Sequence, residues 1–204
     1  MEARKQRGFS IIELMIVIAV MMILAGWAVM GTGSSFNNKA NAAMATVVTQ
    51  LRQARQIAIS SRRNVLVTFT SPNKMQMAIQ TLPGEAPAAT IAPAYLNDNA
   101  AGGLQFMVFP GVPDTPMAFG NSQAINLVPA TGGTAGLGVL FTTQGSFVGT
   151  TAASSYSQVG NSNLVNASIF LGLPGKTSTA RAVTILGGTG RVRSFTWDGT
   201  NWNE

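Results

Sequence analysis

The chain has 204 residues, enough for one core domain and an accessory element, and is 46% hydrophobic but only 10% charged, against roughly 25% in an ordinary soluble domain. It holds no Cys and no His, which excludes thiol chemistry, disulfides, Cys/His zinc sites and the commonest general base. The seven acids (Glu2, Glu13, Glu85, Asp98, Asp114, Asp198 and Glu204) stand singly, so neither a carboxylate pair nor a metal cage is expected, no cofactor is expected, and the chain does not read as an enzyme. Of the net charge of +6, Arg4, Lys5 and Arg7 fall in the first eight residues, where basic side chains act as a topology signal as much as a binding surface.

Residues 14–30, LMIVIAVMMILAGWAVM, carry no charge. A helix over 9–30 would be about 33 Å long at about 1.5 Å per residue, matching a bilayer core of roughly 30 Å. The basic residues before it should stay cytoplasmic and send the C-terminus across the membrane. Three readings fit this segment: a plain signal anchor, a secretory signal peptide cut near Gly26-Trp27-Ala28, and a helix with a use for Glu13. A carboxylate in an apolar run costs roughly 2.5–3.5 kcal/mol on insertion scales and normally has a partner. No basic side chain in this helix supplies one, but a new α-amino group at Phe9 of a neighbouring copy would.

The run Arg7-Gly8-Phe9-Ser10-Ile11-Ile12-Glu13-Leu14 resembles the class III leader of type IV pilins and type II secretion pseudopilins. The resemblance implies cleavage between Gly8 and Phe9 by a membrane prepilin peptidase, N-methylation of Phe9, and a Glu13 that pairs with a neighbouring subunit's N-terminus during filament assembly. It also implies the partners: other pilins or pseudopilins, the peptidase, an inner-membrane assembly platform and membrane lipid. Retention of Glu13 separates the chain from the tip-capping pseudopilin type that lacks it.

Phe36, Ala40, Met44, Val47, Leu51, Ala54 and Ala58 recur at steps of three and four, and no Pro falls between 34 and 71. The helix is therefore expected to run on to about residue 63, with one face packed on a sheet. Arg52, Arg55, Arg62 and Arg63 near its end read either as a solvated face and helix terminus or as a patch for nucleic acid or anionic lipid. The segment is also similar to the helix end of GspH/FimT-type minor pilins, which leads into a first strand.

From Asn64 the pattern becomes strand-like. Residues 65–70 and 75–80 flank Ser71-Pro72-Asn73-Lys74 as a hairpin, and further strands are expected at 104–109, 125–128, 137–143, 168–171, 182–186 and 192–197, with Gln144-Gly145-Ser146 as a tight turn towards Phe147-Val148. Segments 81–103 and 149–166 read as surface insertions. Thr131-Gly132-Gly133-Thr134 and Gly187-Gly188-Thr189-Gly190 are turns rather than phosphate loops, since strands and not helices follow them.

Arg181, Arg191 and Arg193 lie on or beside the last two strands, and Arg191 and Arg193 share a face with Phe195 and Trp197. Cations beside aromatics on one sheet face can hold nucleic acid, whereas aromatics packed in a core would aim the arginines inward too, at a cost unless the strand end protrudes. Gly190-Arg191-Val192-Arg193 resembles the Gly-Arg-x-Arg element of FimT-like minor pilins, some of which bind DNA for uptake.

The expectation is thus an α+β chain: a cleaved leader (1–8), a long N-terminal helix (9–63, with 9–30 transmembrane) packed on an antiparallel β-sheet or sandwich, and a β-rich exported domain (64–204). The resemblance implies a minor pilin or pseudopilin of a type II secretion or type IV pilus filament. It would be a single-pass protein of the bacterial inner membrane, with its N-terminus cytoplasmic and its domain periplasmic, joining a filament after processing. The alternative is a DNA-binding minor pilin acting in DNA uptake, with DNA as a further partner.

Overall fold

The computed structural model describes residues 10–80, 87–96, 103–129, 138–150 and 164–204. The chain divides into two compact units, Met1–Phe36 and Asn37–Glu204, and one helix, α1 (Ile11–Ser61), contributes to both. Gly8 and Phe9 lie outside the described residues, as do the Gly132-Gly133 turn and residues 81–86, 97–102 and 151–163 of the two expected insertions.

The helix starts where its sequence supplies a cap. Ser10 Oγ accepts a hydrogen bond from the Ile12 amide at 3.4 Å, and Ser10 O accepts from the Glu13 and Leu14 amides. At the other end Ser61 Oγ donates to the Ile57 carbonyl at 2.6 Å, and Arg62 takes φ 53°, the left-handed conformation that closes many helices. Arg62 and Arg63 lie just beyond the last turn and are exposed.

In the larger unit α1 buries most of the expected stripe: Ala40, Val47, Leu51, Ala54 and Ala58 are fully buried together with Ala43, all at most 1% exposed, while Met44 is half-buried, as is Phe36 before it. Four of the six fully buried residues are alanines, so the helix backbone can approach the strands beneath it closely. They pack with both of the unit's sheets in one core.

The first sheet has the order β3–β2–β1–β7–β8, with β4 also on β2: β1 (Asn64–Thr70), β2 (Lys74–Gln80), β3 (Ala89–Thr90), β4 (Ala94–Tyr95), β7 (Gly138–Phe141) and β8 (Phe147–Thr150). Val65 and Val67 of β1 and Met75 and Met77 of β2 point into the core, and the register pairs Val65 with Ile79 and Phe69 with Met75. Segment 81–103 is not merely a surface loop, because β3 and β4 pair along β2 and Leu96 is buried.

The second sheet has the order β12–β11–β10–β9–β5, with β6 also on β9: β5 (Gln105–Phe106), β6 (Ile125–Pro129), β9 (Val165–Leu173), β10 (Lys176–Leu186), β11 (Arg191–Trp197) and β12 (Trp202–Asn203). All of these pairings are antiparallel. Side chains alternate across a strand. On β10, Val183 and Ile185 enter the core beneath the helix, while Ala180 and Ala182 enter a second, smaller core with Phe109, Val112, Phe170, Phe195, Trp197 and Trp202. The expected strand at 104–109 is only two residues long, because Phe109 turns from the ladder to cover that outer face. The loop doing the covering is held from within: Asp114 Oδ1 accepts from the Thr115 amide at 2.7 Å, Asp114 Oδ2 accepts from the Gly120 amide at 2.6 Å, and Trp202 Nε1 donates to the Pro113 carbonyl at 2.9 Å.

Candidate functional site

Two places carry the functional candidates, the first turns of α1 and the start of β11. In the N-terminal unit, the large apolar side chains between Ile11 and Leu24 are 45% to 81% exposed on every side of the helix. A helix apolar all round needs lipid or other helices around it. Glu13 stands in the first turn, exposed, with no side-chain partner among the described residues. There the unpaired amides and the dipole of the helix favour a negative charge, so Glu13 suits the N-terminal end of such a helix but meets no opposite charge among the described residues.

Among the described residues no helix is long and apolar enough to cross a membrane. The apolar run is described with its side chains over 11–26, which falls short of the roughly 20 residues a span needs.

Arg181, Arg191 and Arg193 are not brought together. Arg181 has the parity of Val183 and Ile185 and points beneath the helix, where it is 2% exposed. Its Nε donates to Asn41 Oδ1 at 2.7 Å, and its Nη1 to the carbonyls of Ser178 at 3.1 Å and Ala180 at 2.8 Å. Burial pulls its pKa below the usual guanidinium range, and the guanidinium serves as a latch between α1 and β10. Arg55 is likewise engaged, donating from Nε to the Gly145 carbonyl, while Arg52 is exposed on the helix.

Arg191 and Arg193 do share a face with Phe195 and Trp197. The expected conflict between aromatics in a core and arginines on the same face is resolved along the length of β11. Phe195 (3% exposed) and Trp197 (8%) fill the second core, and Trp197 and Trp202 stack with ring centroids 5.4 Å apart. The arginines occupy the other end of the strand, beyond that core. There, with Met117, Thr184 and Leu186, they line an open pocket of about 90 Å³. Arg193 Nε lies 3.5 Å from Glu204 Oε1, and its Nη1 lies 3.8 Å from Met117 Sδ. Arg191 is exposed, and its guanidinium has no partner among the described residues.

The comparisons with known proteins bear chiefly on the N-terminus. Residues 3–29 match the prokaryotic N-terminal methylation motif. That match covers the basic leader and the first turns of α1. No curated protein matches the chain in sequence. Among solved structures the chain is similar to the type IV minor pilin FimU of Pseudomonas aeruginosa, at 15% identity and a TM-score of 0.43, over 82% of this chain and 94% of that one. It is also similar to the minor pseudopilin EpsH from the type 2 secretion system of Vibrio cholerae, at 12% identity and a TM-score of 0.41, over 78% of this chain and 97% of that one.

Proposed function

We propose that the chain is a minor pilin or pseudopilin, a subunit with a mechanical rather than catalytic role in a type II secretion or type IV pilus filament. The observation that carries this reading is the N-terminal methylation motif over 3–29, leading into a helix whose apolar side chains from Ile11 to Leu24 are exposed on every side and whose one acid, Glu13, has no side-chain partner among the described residues. In this reading prepilin peptidase cuts between Gly8 and Phe9 and Phe9 is methylated. The helix is stored in the inner membrane as a single pass, with the leader cytoplasmic and residues 64–204 outside. Assembly at an inner-membrane platform then exchanges lipid for neighbouring helices, and Glu13 meets the α-amine of the next subunit.

The pairing follows from energetics. A charge that remains in an apolar helix bundle is costly unless compensated, and an amine on the partner compensates it. Of the three C-terminal arginines, only Arg191 and Arg193 remain for DNA binding, because Arg181 is buried beneath the helix. Mass spectrometry of membrane-extracted protein tests the assignment. A mature N-terminus at methylated Phe9 is expected, and a start at Met1 or Val29 overturns it.

A further inference from the structure

β11 is paired with β10 along its length, from Leu186 opposite Arg191 to Arg181 opposite Thr196. On its other side β12 reaches only Thr196 and Trp197. The stretch 191–195 therefore offers a backbone edge with no strand partner on that side among the described residues. Such an edge is a template for another extended segment.

The side chains on this edge say which kind of segment fits. Arg191 and Arg193, two residues apart on one face, place two cations over the Met117 and Leu186 floor of the pocket. The chain itself already lays a short example against it. Trp202 and Asn203 run antiparallel to β11, and Glu204 follows them with its carboxylate at Arg193. That contact is a single long one between groups 31% and 54% exposed, so it is easily exchanged for a better one.

We infer that the free edge of β11 and its arginine-lined pocket form a docking site for an extended acidic segment of another protein. The segment adds a strand beyond β12, running in the same direction as β12. Two of its glutamates, two residues apart, lie across the ladder from Arg191 and Arg193 and meet their guanidinium groups. Cross-strand pairs of opposite charge favour this arrangement, and the edge supplies backbone hydrogen bonds. A nucleic acid would leave the edge unused. It would also find only two cations here, whereas nucleic-acid affinity grows with the number of phosphates neutralised.

The test uses the full chain in detergent micelles and a fluorescently labelled peptide of alternating Glu and Val. Anisotropy should show binding that weakens about 5-fold on replacing Arg191 and Arg193 together with Ala, the size of two modest cross-strand charge pairs. Arg191→Lys with Arg193→Lys should keep most of the affinity, and Glu204→Gln should tighten it about 2-fold by freeing Arg193. Hydrogen exchange should slow at 191–195 when the peptide is bound. Equal binding of a Gln/Val peptide, no response to the arginine or Glu204 variants, protection elsewhere, or binding of single-stranded DNA without the peptide would each overturn the inference.

Discussion

Arg55, on the helix, donates from Nε to the Gly145 carbonyl oxygen at 3.1 Å, across the turn between β7 and β8. Gly190, in the turn between β10 and β11, packs against the same two groups. A Cβ on Gly190 would run into the Gly145 carbonyl oxygen and lie 2.9 Å from Arg55 Nε. Both glycines have positive φ, 80° and 63°. One arginine thus fastens the helix end to the turns of both sheets, and only residues without a side chain allow the approach.

Gly190→Ala is therefore expected to destabilise the larger unit by about 2 kcal/mol or more, combining the left-handed backbone penalty with displacement of a carbonyl that cannot yield cheaply. Arg55→Ala should cost less, about 1 kcal/mol, the value of one partly buried hydrogen bond. Urea denaturation of the two variants checks the order. A Gly190→Ala protein as stable as its parent would show that the two turns can separate freely.

Arg181 yields the second expectation. Arg181→Ala removes three hydrogen bonds and the bulk of a buried side chain, and should destabilise by about 2–4 kcal/mol. Arg181→Lys should recover little of this, because an ammonium cannot reach acceptors arranged around a planar guanidinium. Asn41→Ala leaves the buried cation with one acceptor fewer and should cost about 1–2 kcal/mol. Thermal unfolding should give the order Arg181→Ala, Arg181→Lys, Asn41→Ala, most harmful first, and a neutral Arg181→Ala would remove its role as a latch.

The place of Arg181 is legible in the sequence through strand parity. Stepping back by twos from Ile185 through Val183 puts Arg181 on the helix-facing side, away from Thr184. The polar run Lys176-Thr177-Ser178-Thr179 concealed this, because it lacks the apolar alternation that marks a half-buried strand, yet β10 begins at Lys176. The helix stripe and the β1–β2 hairpin were readable, since each buries one face and leaves the period of its element in the sequence. β3, β4 and β12 were not, at two residues each, because such strands exist through their neighbours. The second core was hidden for a related reason. β9 and β10 are buried on both faces, so their outer covering comes from Phe109 and Val112 in a loop that carries no periodicity.

Asp198 gives the expected pH response. Amide hydrogen bonds from Asn201 and Thr200, then the Asn203 side chain, hold its pKa below the usual 3.8. A carboxyl depressed in the fold stabilises it above the unfolded value, and that contribution is lost as pH falls through the folded value. The turn preceding β12 should therefore loosen below about pH 3.8, and Asp198→Asn should flatten that limb of the stability profile. Melting temperatures of both proteins across the acid range decide it, and parallel curves would show that Asp198 contributes nothing to the profile.

Glu13 separates a membrane anchor from an assembly device. Glu13→Gln keeps the size of the side chain and removes its charge, which lowers the cost of placing the helix in lipid. If Glu13 only tolerated the membrane, the variant would be retained at least as well and nothing else would change. If it recruits the amine of a neighbouring Phe9, the variant should be inserted and processed normally while incorporation into filaments falls at least about 10-fold, the equivalent of about 1.4 kcal/mol of lost pairing. Comparing membrane-bound and filament-bound protein by immunoblot distinguishes the two cases. Processing must be measured in the same samples, because an uncut leader would leave Phe9 without a free amine and imitate the loss of Glu13. Normal cleavage, normal membrane content and undiminished filament incorporation together would leave the charge of Glu13 without a role in assembly.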